Sequence, residues 1–402
     1  MTKTTLLIKE RQDRATWIAK AERIGQIAEA EAKEADKNAR FSSKVAEAIL
    51  EADINKLMRP KRYNGSFVDL RTYTDILRTI SKHSIAAAWL TYFYSAHDIW
   101  PAYLSPKGRD IVLGHNGFVA DVVAPVGRAE RVGDGFSLSG QWNFCSGVLW
   151  SDFIGLGAMV KLSEEDEPEY CILVVPKSDP NVKIVENWDT IGLRSSASNG
   201  VLVEDAFVPE HLVLPARYLF QIGKPMEEDF DQNDPVYRMP FMPLFLLGFP
   251  AVALGGMERL ITIFKERTEK RVRVFKGGQN EKKSSGSQRL LAEMNMQYRA
   301  AEGLLYRYIE ILESWEAEGR TIVSDEEREE LFALRAQVAR MATDIATRVM
   351  QTLGGTSIYK GDSVELFTRD LLAFGSHPNG AWEDGMAAYG RTIFGQPGDP
   401  VW

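Results

Sequence analysis

The chain has 402 residues, of which 45% are hydrophobic and 26% charged, an ordinary composition for a globular protein. Its formal net charge of −8 argues against a surface that coats nucleic acid, because phosphate binding needs a basic face. The sequence contains two cysteines, Cys145 and Cys171, and no C-x-x-C pair. Two cysteines cannot staple a chain of this length, so we predict neither a disulfide framework nor a metal centre.

The apolar runs of the sequence are short. Met1 to Arg14 lacks the apolar core of a signal peptide. No run reaches the roughly 18 apolar residues that span a bilayer. The nearest, Met239 to Gly256, is interrupted by prolines and is expected to pack in a core. We therefore expect a cytoplasmic protein with no membrane or nucleic-acid partner.

Helical patterns cover the first part of the chain. Ala15 to Lys37 is rich in Ala, Glu and Lys, which are strong helix formers. Phe41 to Leu57 and Asp69 to Phe93 each place apolar residues at helical spacing, and we predict one helix over each. These patterns predict an N-terminal α-helical domain over residues 1–116.

The pattern changes near Gly117 to short β-prone runs broken by turn residues. We predict a middle β domain over residues 117–216, folded as a sandwich or barrel. Its most distinct predicted strands are Phe153–Leu162, Tyr170–Pro176, Lys183–Val185 and Val201–Val208.

Helical patterns return after an acidic connector at residues 217–238. Ser324 to Glu327 has the capping-box pattern of a helix start, and Gly354–Gly355 has that of a helix end. We predict a C-terminal four-helix bundle domain over residues 217–402. The whole is mainly α with a central β domain. The predicted helices of the bundle cover residues 240–275, 288–318 and 324–354, with shorter ones after 360.

The sequence lacks the glycine-rich phosphate-binding motifs and the serine-hydrolase motif. The first run that indicates chemistry lies in the β segment, from Ser139 to Gly147. A strand that alternates Trp142, Phe144 and Ser146 would put two aromatic rings and a hydroxyl on one side of a sheet. That side would suit a flat heteroaromatic ring. The alternative is a strand with aromatic residues in a core and a serine in a turn.

Two histidines, His97 and His377, occur where a functional role is plausible. His97 ends a helix rich in small residues, and His377 precedes a Pro-Asn-Gly turn. A neutral imidazole beside an electron-rich ring can take or give a proton near neutral pH. The alternative for each is a capping or core histidine, which is the role we assign to His83, His115 and His211.

A glycine pair and a basic cluster are the remaining candidates. Gly354 and Gly355, after Gln351, would let backbone N–H groups approach a phosphate or a ring edge, although a simple helix end explains them equally well. The basic cluster is either a solvated helix end or a phosphate site. It contains Arg271, Arg273, Lys276, Lys282 and Lys283.

Blocks in order along the chain resemble the acyl-CoA dehydrogenases. Leu57-Met58-x-Pro60-x-x-Tyr63-x-Gly65 looks like the end of the family's N-terminal helices. Ile191 to Pro209 is similar to its second β-domain signature, and Gln351 to Gly355 with Arg369-Asp370 matches the C-terminal one. The resemblance implies the acyl-CoA dehydrogenase fold.

Within that superfamily, the details resemble the group D flavin-dependent monooxygenases. The dehydrogenases commonly carry a carboxylate base eight residues after the aspartate of the Arg-Asp pair, where this chain has Pro378. The monooxygenases place a histidine where His377 stands. Their Ala-Trp pair, followed by a histidine eight residues after the Trp, is matched by Ala88-Trp89 and His97. The blocks Ala124 to Ala129 and Ser139 to Gly147 also look like the monooxygenase version.

The resemblance implies the oxygenase component of a two-component system. A separate reductase would supply reduced FMN or FAD, and O2 would add to it as a C4a-hydroperoxide that oxygenates a small aromatic or heteroatom-containing substrate. Ser146 would hydrogen-bond flavin N5, His97 would assist formation of the hydroperoxide, and His377 would orient or deprotonate the substrate or polarise its heteroatom. The other implied flavin contacts are Trp142, Phe144, Gly147, Pro125, Gly127, Arg271, Arg273, Gln351, Gly354 and Gly355.

The substrate is less well defined than the chemistry. We expect Trp188, Asn379 and Trp382 to contact it, with residues 217–239 shaping the mouth of the site. The resemblance also implies a homotetramer. Two alternatives are an acyl-CoA dehydrogenase with bound FAD, in which Glu383 would have to act as the base, and a non-catalytic flavin-binding or assembly protein.

Overall fold

The structure, a computed structural model, describes residues 3–163 and 167–398. Its N-terminal part is helical, as predicted, but Asp69 to Phe93 is two helices rather than one. The chain breaks after Ser81, where the Ser84 hydroxyl accepts from the N–H of Ala87 and starts a new helix. The helices are α1 (Lys3–Asn38), α2 (Ser43–Glu51), α3 (Leu70–Ser81), α4 (Ile85–Ala96) and α5 (Pro106–Leu113).

The strands form one mixed sheet rather than two separate sheets. Its order is β5-β6-β2-β1-β3-β4-β7, with β1 and β3 parallel and the other neighbours antiparallel. Strands β4 and β6 contact each other without being neighbours in that order, so the sheet curls on itself. The strands are β1 (Val119–Val132), β2 (Gly135–Cys145), β3 (Phe153–Val160), β4 (Glu169–Pro176), β5 (Val182–Val185), β6 (Asn199–Pro209) and β7 (Val213–Pro215).

The C-terminal helices pack around α9, which contacts α7, α8, α10 and α11. The predicted capping box is present: the Ser324 hydroxyl accepts from the N–H of Glu327, and the Glu327 side chain accepts from the N–H of Ser324. Helix α9 ends at Leu353, before Gly354, as predicted. The helices are α6 (Phe241–Phe245), α7 (Gly248–Lys270), α8 (Ser285–Glu318), α9 (Asp325–Leu353), α10 (Ser363–Gly375) and α11 (Trp382–Ile393).

Two segments of the C-terminal part refine the predictions made from the sequence. The stretch Phe241–Lys270 is long and apolar enough to cross a membrane, yet its most apolar part is 89% buried inside the protein, as expected of a core helix. The helix predicted over 240–275 ends earlier, at Lys270, and a short strand pair follows it: β8 (Val272–Arg273) pairs with β9 (Gln279–Asn280). Helix α4 lies between the sheet and the bundle, because it contacts β1 as well as α7 and α10.

Candidate active site

Ser146 lies in the turn that follows β2, with its hydroxyl buried among polar partners. The indole N–H of Trp89, on α4, donates to the Ser146 Oγ at 3.0 Å. The Ser198 Oγ lies 2.8 Å from the same oxygen. Gly147 holds the turn with a φ of +72°, and an added Cβ would lie 2.3 Å from the Tyr94 hydroxyl oxygen, so glycine is required there.

Trp89 connects Ser146 to both predicted histidines. Its ring centroid lies 5.1 Å from that of His377 and 4.6 Å from that of Phe93. The Phe93 ring is in turn 4.8 Å from His97. The structure therefore brings the three predicted catalytic side chains around one face of α4. We call Trp89, Phe93, His97, Ser146, Ser196, Ser198 and His377 the Trp89 cluster.

His377 is held as a neutral imidazole of defined tautomer. Its Nδ1 accepts a hydrogen bond from the backbone N–H of Asn379 at 3.2 Å. Burial, together with the positive charge of Arg335, lowers the pKa of His377 to about 4. Because Nδ1 accepts, the single ring proton of the neutral form sits on Nε2. His377 is therefore a hydrogen-bond donor through Nε2 at neutral pH.

His97 is fully buried between a carbonyl and a carboxylate. Its Nδ1 lies 3.0 Å from the Val119 carbonyl oxygen, and its Nε2 lies 3.3 Å from Asp121 Oδ2. The Trp100 indole N–H donates to the same Asp121 oxygen at 2.8 Å. Burial raises the pKa of Asp121, an effect that the neighbouring His97 and Trp100 oppose. Sequence reasoning missed Asp121, since a single aspartate in a strand carries no motif.

Trp142 and Phe144 do not share a face, so that prediction was wrong. Phe144 adopts a φ of +69°, and the register of β2 shifts between Trp142 and Cys145, which breaks the alternation. Trp142 has no exposed surface and donates its indole N–H to the Gly157 carbonyl. It cannot wall a flavin pocket. An added Cβ on Gly127 would meet the Trp142 ring at 2.2 Å, so Gly127 serves the packing of that ring.

Phe144 does offer an exposed aromatic surface, 71% accessible. Its ring lies 6.1 Å from that of Trp188, at a right angle. The Trp188 indole N–H donates to the Leu193 carbonyl, in the segment that leads to Ser196 and Ser198. These two rings and the Ser146 hydroxyl fit a flat heteroaromatic ring with polar atoms at its edge. Pro125 lies exposed on β1, and its predicted flavin contact stays a prediction.

Arg271 and the end of α9 lie together. The Arg271 guanidinium donates to the Thr352 carbonyl at 2.9 Å and lies 3.7 Å from where a Cβ on Gly354 would be. A Cβ on Gly355 would meet nothing within 4 Å, so its backbone is open to a ligand. Arg273 instead pairs with Glu281 at 2.6 Å. The side chain of Lys276 is outside the described residues. We call Arg271, Gln351, Gly354 and Gly355 the Gly355 surface.

The residues predicted to contact the substrate lie in different parts of the structure. The Asn379 carbonyl accepts from the Arg335 guanidinium at 3.0 Å while its N–H holds His377, so Asn379 positions the imidazole. Trp382 donates its indole N–H to the Gln337 side chain on α9. Part of the predicted mouth lines a cavity of about 540 Å³, through Arg217, Leu219, Phe220 and Gln221. Its other walls include Tyr170, Phe241, Met242, Ile322 and Val323.

Two neighbouring aromatic rings connect the wall of that cavity to the Trp89 cluster. Phe241 is 5.3 Å from Phe245, whose ring stacks on His97 at 5.7 Å. Across residues 3–163 and 167–398, no group of three or more His, Cys, Asp or Glu could hold a metal ion.

Comparison with known proteins shows what the chain is similar to. The model of the acyl-CoA dehydrogenase C-terminal domain matches residues 247–379. The oxygenase component of p-hydroxyphenylacetate 3-hydroxylase from Acinetobacter baumannii is 25% identical over 385 residues, covering 94% of this chain and 88% of that protein. The oxygenase subunit HsaA of a flavin-dependent monooxygenase from Rhodococcus jostii is 25% identical over 357 residues, covering 87% and 91%.

The fold agrees with these relatives. XiaF from Streptomyces sp., solved with FADH2 and glycerol, superposes with a TM-score of 0.88 at 21% identity and covers 99% of both chains. The sequence relatives match along nearly the full chain and are named as hydroxylases and monooxygenases, HsaA among them as flavin-dependent. The chain therefore has the acyl-CoA dehydrogenase fold and is similar along most of its length to flavin-dependent monooxygenases.

Proposed function

We propose that the protein is the oxygenase component of a two-component system that oxygenates a small aromatic substrate, using reduced FMN or FAD and O2. The proposal rests on one side chain, Trp89. Its indole N–H donates to the Ser146 hydroxyl oxygen, and its ring contacts the neutral imidazole of His377. A hydroxyl for the flavin edge and an imidazole for the substrate are thus fixed by one side chain. The full-length relation to oxygenase components supports this assignment.

Bound reduced flavin would supply the oxygen-activating chemistry. Ser146 would hold the flavin edge with its hydroxyl proton, and Phe144 and Trp188 would lie against its ring. His377 would donate its Nε2 proton to the substrate's hydroxyl or heteroatom, which orients and polarises that group. The tautomer that the Asn379 N–H imposes favours this donor role over that of a base.

The walls around Trp89 would exclude water. Phe249 and Phe374, both fully buried, pack on the Trp89 ring at centroid distances of 6.1 and 5.7 Å. Exclusion of water suppresses side reactions of activated oxygen. The same packing fixes the rotamer of Trp89, and so the position of the Ser146 hydroxyl that it contacts.

Partners and location follow from the proposed function. A separate reductase would supply the reduced flavin, by diffusion or by contact, in the cytoplasm. We also propose a homotetramer, because apolar side chains beside the Gly355 surface are strongly exposed and a second copy would cover them. They are Val274, Phe275, Ile358 and Tyr359.

Anaerobic titration with reduced FMN and reduced FAD, followed by mixing with oxygenated buffer, tests the proposal. We expect protein purified without flavin to bind one or both reduced flavins and to yield an oxygenated product with a phenolic test substrate. A yellow protein that an acyl-CoA bleaches anaerobically would contradict the proposal and indicate a dehydrogenase. Glu383, the carboxylate that such a dehydrogenase would need, is exposed on α11.

A further inference from the structure

Three serines form a chain of hydroxyls that ends at the candidate flavin site. The Ser196 Oγ lies 2.8 Å from the Ser198 Oγ, which lies 2.8 Å from the Ser146 Oγ. Ser196 is fully buried, Ser198 is 3% exposed and Ser146 is 6% exposed. The two inner serines come from the turn that precedes β6, and Ser146 comes from the turn that follows β2.

The hydrogens of this chain can be counted. Three hydroxyls carry three hydrogens, and the two bonds between them use two. If the bonds run from Ser146 through Ser198 to Ser196, the unused hydrogen is that of Ser196. Within the described residues, the Ser196 hydroxyl has Ser198 as its hydrogen-bond partner. A buried donor without an acceptor costs about 1–3 kcal/mol, so this direction is disfavoured. The arrangement in which Ser146 and Ser196 both donate to Ser198 is disfavoured for the same reason, since it leaves the buried hydrogen of Ser198 unused.

The opposite direction leaves the unused hydrogen on Ser146, the most exposed of the three serines at 6%, where water or a ligand can accept it. Ser196 donates to Ser198, Ser198 donates to Ser146, and the spare hydrogen is that of Ser146. The Trp89 indole N–H can only donate, so it also takes a lone pair of the Ser146 oxygen. With two donors on its oxygen, Ser146 has its own hydrogen free. Hydrogen bonds in such a chain polarise one another, which makes the last hydroxyl a stronger donor.

We propose that Ser196 and Ser198 form a one-way hydrogen-bond relay which, with Trp89, commits the Ser146 hydroxyl to donate to the bound flavin. Ser198 and Trp89 are thus positioning residues that act through Ser146. The consequence for flavin rests on the proposed function, whereas the direction of the relay is a property of the protein alone.

The two directions predict opposite changes in flavin affinity for the Ser198→Ala variant. In the proposed direction, Ser198→Ala removes a donor from Ser146, and we expect oxidised FMN to bind about threefold to tenfold more weakly, with an altered absorption spectrum. In the opposite direction, Ser198→Ala would free the Ser146 hydrogen and tighten binding. Unchanged or tighter binding by a folded Ser198→Ala variant would therefore overturn the proposal.

Two further variants control for a merely structural effect. Ser198→Thr keeps the hydroxyl, and we expect it to restore both affinity and spectrum. Ser195→Ala, in the same turn but outside the relay, should bind FMN as the unmodified protein does. If Ser195→Ala weakens binding as much as Ser198→Ala, the effect belongs to the turn and the relay is refuted.

Neutron diffraction from crystals of the flavin-free protein tests the direction without any flavin chemistry. We expect the hydrogen between Ser198 and Ser146 to belong to Ser198, and that between Ser196 and Ser198 to belong to Ser196. Hydrogens on Ser146 and Ser198 instead would overturn the relay, whatever the flavin experiments show. If the protein binds no flavin but the hydrogens lie as expected, the proposed function fails and the relay stands.

Discussion

The Trp89 cluster and the Gly355 surface are built in opposite ways. In the cluster, each hydroxyl and indole N–H lies in a hydrogen bond within one chain, among buried aromatic rings. At the Gly355 surface, Arg271 makes one hydrogen bond to a carbonyl and Gly355 faces open space, next to the fully exposed ring of Phe275. The first region is complete within one chain, and the second leaves backbone and apolar groups uncovered.

This difference indicates how the two ends of a flavin would be recognised. The ring end requires fixed donors in a dry site, which a single chain provides at the Trp89 cluster. The phosphate end requires positive charge and open backbone, and it tolerates solvent. Mutations in the cluster should therefore alter chemistry, stability or the hydrogen bond to the flavin ring, while mutations at the surface should alter affinity alone.

The largest expected effect is that of His377→Ala on oxygen transfer. Removing the Nε2 donor should lower product formation about a hundredfold or more, since a positioned proton donor contributes about 10²–10⁴-fold. Binding of reduced flavin should stay nearly unchanged, so oxygen consumption would go to hydrogen peroxide. Product and peroxide are measured together in single turnovers.

Two variants sharpen that test. His377→Gln keeps an N–H donor and should retain more activity than the Ala variant. His211→Ala, at a histidine outside the Trp89 cluster, should behave as the unmodified protein. Unchanged turnover in His377→Ala would remove this imidazole from the mechanism.

The next effect is on stability, at Asp121. In Asp121→Ala, the Trp100 indole N–H loses its acceptor and His97 Nε2 loses its neighbouring carboxylate, both in the interior. We expect the free energy of unfolding to fall by about 3 kcal/mol, measured by urea denaturation. Asp121→Asn still offers an oxygen to Trp100 and should cost about 1 kcal/mol. An equal fall in the free energy of unfolding for both variants would show that the hydrogen bond from Trp100 to this oxygen does not account for the stability.

At the Gly355 surface, Arg271→Ala should reduce affinity with little change in stability. We expect reduced flavin to bind about tenfold more weakly, because a charge-assisted contact to phosphate is lost. The melting temperature should barely move, since Arg271 gives up one hydrogen bond to a carbonyl. Lys282→Ala, an exposed lysine nearby, serves as the control. Affinity that falls equally in both variants would indicate a general charge effect instead of a phosphate site.

The sequence predicted the catalytic side chains of the Trp89 cluster better than the aromatic residues expected to contact the flavin. Ser146, His97 and His377 were found because spaced motifs resemble a family, and the structure places them around α4. Trp142 was misplaced because strand alternation was assumed through Phe144, whose positive φ turns the chain. No composition or period in the sequence indicates such a local reversal at a residue other than glycine.

The helix break at Lys82–Ser84 and the role of Asp121 show two kinds of omission. The break had a local signal, since Ser84 before an apolar run is a typical N-cap, but the apolar spacing on both sides concealed it. Asp121 had none. It becomes relevant only when Trp100 and His97, from another element, reach the same oxygen. Contacts between distant elements of this kind cannot be derived from spacing.

The smallest expected effect concerns Asp370, which connects α10 to the segment that leads to Ser196. Its Oδ1 accepts from the Leu193 N–H at 2.7 Å, so α10 holds the segment between Trp188 and Ser196. Burial raises the pKa of Asp370 to about 7, from about 3.9 in an unfolded chain. Between those values the folded state binds more protons than the unfolded state, so this group's contribution to stability falls as pH rises from about 4 to 7.

Asp370→Asn keeps an oxygen for the Leu193 N–H and removes the charge. We expect this variant to be more stable than the unmodified protein at pH 8 by about 1 kcal/mol, a value reduced for partial solvent exposure of the site. The difference should shrink as the pH falls through 7 and vanish near pH 4, where the carboxyl is neutral in both states. Urea denaturation at several pH values measures it. A constant difference at all pH values would mean that the ionisation of Asp370 does not control how α10 holds the ring end of the site.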